Sequence, residues 1–77
     1  NAALVSQVRE IVARVLGVKV DEINDHAHLM LDMGASSLQY FEIVSQIASE
    51  FKLDTYTDKE KYRYTVDEFC EYIERYM

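Results

Sequence analysis

Apolar residues recur along this chain at steps of three and four in three separate places, and nowhere do they alternate with polar ones at steps of two. That periodicity predicts helices and no strands. Leu4, Val5, Val8, Ile11, Val12, Val15 and Leu16 form one stripe and predict a helix over about Ala3–Leu16. Gly17 follows where a helix commonly ends in a left-handed turn. Tyr40, Ile43, Val44, Ile47 and Phe51 define the buried face of a second helix, Ser37–Phe51. Ser36 and Gln39 stand three apart, as an N-cap and its reciprocal partner do in a capping box. The cap then falls on Ser36, and Ser37 takes the first helical position. Val66, Phe69, Cys70, Ile73 and Met77 predict a third helix over about Val66–Tyr76, with Thr65 and Glu68 as a second capping box. Thr57 with Glu60 suggests a short helix over roughly Asp58–Arg63.

The segment 18–35 is long for a connection in a small domain. Val18, Val20, Ile23, Leu29, Met30 and Met33 are its apolar anchors. They predict an ordered loop pinned on the core, with room for a turn of helix. The expected architecture is all-α: a small four-helix bundle of three longer helices and one short one, with a long loop between helices 1 and 2. Residues 1–77 are expected to form a single domain, with Asn1 and Ala2 an expression remnant of no functional weight.

Composition narrows the function classes. Seventy-seven residues bury only about 60% of the surface exposed on unfolding, which leaves no room for a large enclosed active site beside a core. A net charge of −6 argues against nucleic acid and favours basic protein partners. The one cysteine, Cys70, sits in an apolar stripe and reads as a small buried hydrophobe. With no internal disulfide possible and no run long enough to span a membrane, the expected location is cytoplasmic.

The candidate chemistry lies at Met33-Gly34-Ala35-Ser36-Ser37-Leu38, which leads into the second helix. A serine in such a place is commonly a cap and nothing more. A nucleophile would need a base and an orienting group. The only histidines, His26 and His28, lie in the preceding loop, and the second glycine and preceding strand of a hydrolase elbow are absent. Covalent modification is the third reading. A helix N-terminus carries unpaired N–H groups and partial positive charge, so it stabilises a phosphate placed there.

These residues carry a resemblance. Asp32-Met33-Gly34-Ala35-Ser36-Ser37-Leu38, with a helix ending Glu50-Phe51, resembles the attachment site of acyl carrier proteins, whose pattern is Asp-Leu-Gly-Ala-Asp-Ser-Leu. Gly17-Val18-Lys19-Val20-Asp21-Glu22-Ile23 is similar to that family's turn after its first helix. Tyr64-Thr65-Val66-Asp67-Glu68-Phe69 through Tyr72-Ile73 is similar to the start of its last helix. The resemblance implies that Ser37 bears 4′-phosphopantetheine, donated by coenzyme A through a phosphopantetheinyl transferase. The arm's thiol would hold acyl or aminoacyl groups as thioesters. The protein would be a monomeric carrier without catalysis of its own, presenting cargo to activating, condensing or transferring enzymes of fatty-acid, polyketide or related biosynthesis. Tethering raises the cargo's effective concentration at each partner. An unmodified helical adaptor is the alternative from another class.

Two departures from the family pattern stand out. Ser36 replaces the usual aspartate; it can still cap, but a negative charge beside the attachment site is lost. The exposed side of the second helix offers only Glu42 and Glu50 as acids, with Gln39, Ser45, Gln46 and Ser49 between. Leu38 and Phe41 fall off the core stripe, so Leu38, Phe41, Glu42 and Ser45 form the expected partner-contact surface, with Phe41 equally able to tuck inward. No metal site is expected. His26 and His28 lack further ligands and read as surface histidines, and Asp21–Asp32 does not fit a calcium loop. Lys52, Lys59, Lys61 and Arg63 among Tyr56, Tyr62 and Tyr64 are diluted by acids and read as a solvated face whose tyrosine rings pack on the bundle.

Overall fold

The computed structural model describes residues 2–53 and 63–76. It contains three α-helices, α1 (Ala2–Leu16), α2 (Ser37–Phe51) and α3 (Val66–Tyr76), and one turn of 3₁₀ helix, Val20–Glu22. No strand occurs among the described residues. The expected limits of α2 and α3 match those observed, and α1 begins one residue earlier than expected. The short helix expected over Asp58–Arg63 lies outside the described residues except for Arg63, which is not helical. The described residues therefore form an all-helical fold of three α-helices.

α1 packs against both α2 and α3. Its stripe buries Leu4, Val8, Ile11, Val12 and Ala13. These meet Ile43 and Ile47 of α2 and Val66, Phe69, Cys70 and Ile73 of α3 in one core. Val5, Val15, Leu16, Tyr40, Val44 and Phe51 complete it as half-buried neighbours. Three buried residues lie outside the expected stripes and anchors: Ala13, Ala35 and Tyr72. Tyr72 is covered from outside by the Arg63 guanidinium, 4.0 Å from its ring centroid.

Helix ends follow from local chemistry. Gly17 takes φ +71°, and the N–H groups of Gly17 and Val18 both donate to Ala13 O, closing α1. α2 ends on Lys52 at φ 56°, a left-handed conformation that costs a side-chain-bearing residue energy. At the start of α3, Thr65 Oγ1 accepts from Glu68 N–H while a Glu68 carboxylate oxygen accepts from the N–H groups of Thr65 and Tyr64.

The loop between α1 and α2 is ordered and pinned. Ile23 and Leu29 are buried, and Val18, Met30 and Met33 pack on the core. Val20, expected as an anchor, is 38% exposed, because the 3₁₀ turn that starts there rotates it off the core. A polar clamp holds the middle of the loop. Arg9 of α1 donates two hydrogen bonds to the Asp25 carboxylate, at 2.6 and 2.5 Å. Asp25 O accepts from Asp67 N–H, and His26 Nδ1 lies against the Asp67 carboxylate. The Arg9 hydrogen bond, reinforced by its charge, holds the Asp25 carboxyl below its ordinary 3.8 against the opposing effect of burial.

Candidate functional site

The loop delivers the chain to the start of α2 through a compact turn over residues 28–35. His28 organises it. The Nδ1 atom of His28 accepts from the N–H groups of Met30 (3.1 Å) and Leu31 (3.0 Å), while Asp32 Oδ2 accepts from His28 N–H. The backbone N–H groups of Asp32 and Met33 return to His28 O, and Gly34 N–H to Met30 O. His28 is thus a half-buried turn-forming residue, which corrects its reading as a plain surface histidine; His26 is exposed as expected. Acceptance of two main-chain donors leaves no trace in an H-x-H pattern.

Gly34 adopts φ +76°, a conformation L side chains rarely take. Ala35, buried, then donates its N–H to Leu29 O at 2.9 Å. The chain reaches Ser36 in an extended conformation, with φ −75° and ψ 167°. Both halves of the capping box form. Ser36 Oγ accepts from Gln39 N–H at 3.1 Å, and Gln39 Oε1 accepts from Ser36 N–H at 2.9 Å. Tyr40 N–H donates to Ser36 O. The N–H groups of Ser37 and Leu38 therefore remain as the first-turn donors without an acceptor among the described residues.

Two adjacent serines thus have different tasks. The Ser36 hydroxyl is committed to the cap. Ser37 is exposed at the first helical position, and no described side chain engages its hydroxyl. Neither histidine engages that hydroxyl: His28 Nδ1 accepts from two main-chain N–H groups, and the polar contact of His26 is with Asp67. The arrangement can present a hydroxyl and receive a phosphate at the start of α2.

The surface beside Ser37 is apolar. Leu38 is 75% exposed, and Phe41, one turn further, is 61% exposed and does not tuck inward. Glu42 and Ser45 are exposed on the same helix. Sequence periodicity missed Leu31, which at 82% is the most exposed large apolar side chain described. Its exposure follows from His28 holding its N–H, a contact no stripe of apolar residues encodes.

Residues 6–60 match the family model described as "Phosphopantetheine attachment site". The chain belongs to that family. The match spans more than half of the chain and contains the whole 28–41 region just described. Membership implies a covalently attached 4′-phosphopantetheine, and makes this a carrier domain served by a phosphopantetheinyl transferase and by biosynthetic enzymes. The residues present fit such a group: an exposed hydroxyl, two unused first-turn N–H groups, and no acidic side chain in the first turn of α2 to repel a phosphodiester. Among the described residues no group of three or more histidine, cysteine or acidic side chains could hold a metal ion, and no helix is long and apolar enough to cross a membrane.

Proposed function

We propose that Ser37 is the attachment residue and that the chain is a single carrier domain for acyl or aminoacyl groups. The observation that carries this reading is the division of labour at the start of α2: Ser36 is consumed by the capping box, and Ser37, one residue inside, projects an unengaged hydroxyl. In the modification, Ser37 Oγ forms a bond to the phosphorus nearest the pantetheine of coenzyme A. The bond between that phosphorus and the bridging oxygen breaks, adenosine 3′,5′-bisphosphate leaves, and the serine proton goes to a base of the transferase.

The chain's own residues then hold the phosphodiester. The Ser37 and Leu38 N–H groups and the helix dipole favour its negative charge by about 0.3–1 kcal/mol at an exposed site. The prosthetic thiol supplies the thioester linkage; the chain supplies presentation. Leu38, Phe41, Glu42 and Ser45 form the surface that partner enzymes meet, more apolar and less charged than a densely acidic helix. That surface fits partners with an apolar recess in a specialised pathway of fatty-acid, polyketide or related biosynthesis. The location we assign is cytoplasmic.

Incubation with coenzyme A and a broad-specificity phosphopantetheinyl transferase tests the reading by intact mass. The wild type should gain one phosphopantetheine increment and Ser37→Ala none. Failure of several transferases to modify the wild type would favour an unmodified adaptor, and ester hydrolysis abolished by Ser37→Ala would favour a hydrolase.

A further inference from the structure

The three segments that converge behind Ser37 are joined by a run of aromatic rings. Tyr40 lies three residues beyond Ser37, one turn into α2 on neighbouring faces of the helix. Its ring stacks on Tyr64 with centroids 5.1 Å apart and tilts against Phe69 at 6.4 Å. Tyr64 in turn stacks on His28 at 4.5 Å. Both ends are tied to backbone. The Tyr40 hydroxyl donates to Arg63 O at 2.5 Å, and Leu29 N–H donates to Tyr64 O at 2.8 Å. His28 is fixed by the two N–H groups it accepts. Phe69, Leu29 and Ile43 of the core are buried to within 3%.

From this geometry, and resting on Ser37 as the attachment point, we propose that the His28–Tyr64–Tyr40 stack seals the bundle beneath the arm, so that the carried group stays outside and is short or polar, an aminoacyl or small acyl unit. Insertion of a long alkyl chain between α2 and α3 would have to separate both stacked ring pairs and break the Tyr40 hydroxyl anchor. It would also push apart core side chains that are already packed. An aminoacyl or small acyl group has little apolar surface to gain by entering, and its polar atoms would lose water.

The test loads wild-type protein with acetyl-, octanoyl- and tetradecanoyl-phosphopantetheine from the corresponding coenzyme A thioesters. Intact mass of wild type and Ser37→Ala first confirms the site. Melting temperature, amide exchange at Leu29 and Ile43, and the rate of thioester cleavage by hydroxylamine are then compared across the three lengths. The seal predicts the same values for all three in the wild type. In Tyr64→Leu, stability and exchange protection should rise with chain length and hydroxylamine cleavage should slow. Tyr40→Phe, which keeps the ring and drops the anchor, should show the same trend at smaller amplitude and covers the case in which Tyr64→Leu does not fold. A rise in stability or protection with chain length in the wild type would overturn the seal and leave Ser37 standing. Length independence in both folded variants would overturn the assignment of the stack as the barrier. Absence of the increment, or its retention in Ser37→Ala, would overturn the attachment reading itself and the seal with it.

Discussion

Replacement of Ser36 by alanine removes one acceptor from the start of α2 and leaves the rest of the chain untouched. Ser36 Oγ takes the Gln39 N–H at 3.1 Å, and the reciprocal bond from Ser36 N–H to Gln39 Oε1 survives the substitution. Both residues meet solvent to some degree, so water replaces some of what is lost. The expected cost is therefore the middle of the range for such caps, about 1 kcal/mol. For a domain of this size that lowers the melting temperature by about 4–8 °C. Ser36→Asp, which restores the residue type of the acyl-carrier pattern, keeps an acceptor and adds charge that favours the helix N-terminus by about 0.3–1 kcal/mol. It should match or exceed the wild type. Ser36→Gly should lose only a few tenths of a kcal/mol. Urea unfolding followed by far-UV circular dichroism reads all three as midpoint shifts at constant slope. Equal midpoints for Ser36→Ala and wild type would refute the assignment of this hydroxyl to the cap. With it would go the argument that separates the roles of the two serines.

Other outcomes follow from the same geometry. Lys52 holds a left-handed conformation that glycine adopts freely, so Lys52→Gly should stabilise by about 0.5–1 kcal/mol by thermal melting. Gly34→Ala should destabilise by about 1–2 kcal/mol through backbone strain alone, since nothing lies within 4 Å of an added Cβ. Asp25 titrates lower in the folded state than the ordinary 3.8, so its contribution is fully present above that value and is lost as pH falls through the lowered one. Asp25→Asn should lower the urea midpoint at neutral pH and flatten its decline in acid. Burial first, and the nearby Asp67 carboxylate next, push the Cys70 thiol up to about 11. At neutral pH its labelling by a disulfide reagent should follow the rate of unfolding, and fast labelling of folded protein would contradict the buried placement.

The helices were legible because each carries its own pattern. The Ser36–Gln39 and Thr65–Glu68 pairs mark the starts of α2 and α3, and the apolar stripes locate the core faces within each helix. The exposed hydroxyl and its apolar neighbour Leu38 could be placed for the same reason, whereas Phe41 stood open between surface and core until the fold placed it outside. What the pattern could not supply was contact between segments distant in sequence. Tyr72 is buried because Arg63, from the segment before α3, lies over its ring. Val20 is exposed because a 3₁₀ turn breaks the step that would have carried it inward. The Arg9–Asp25 pair spans α1 and the loop, and the His28–Tyr64–Tyr40 stack joins three segments. Neither has a spacing by which sequence could announce it. The low acidity of α2 was visible in the chain; the turn that lifts Leu31 beside it required the fold.

The central claim, that the arm belongs on Ser37 and not on its neighbour, is tested most directly by tandem mass spectrometry of the modified protein. Trypsin should release Val20–Lys52, which contains both serines. The account predicts a phosphopantetheine increment carried by fragments that include Ser37 and absent from those that stop at Ser36, with the same placement in Ser36→Ala protein. An increment on Ser36, or on any other residue of that peptide, would contradict it.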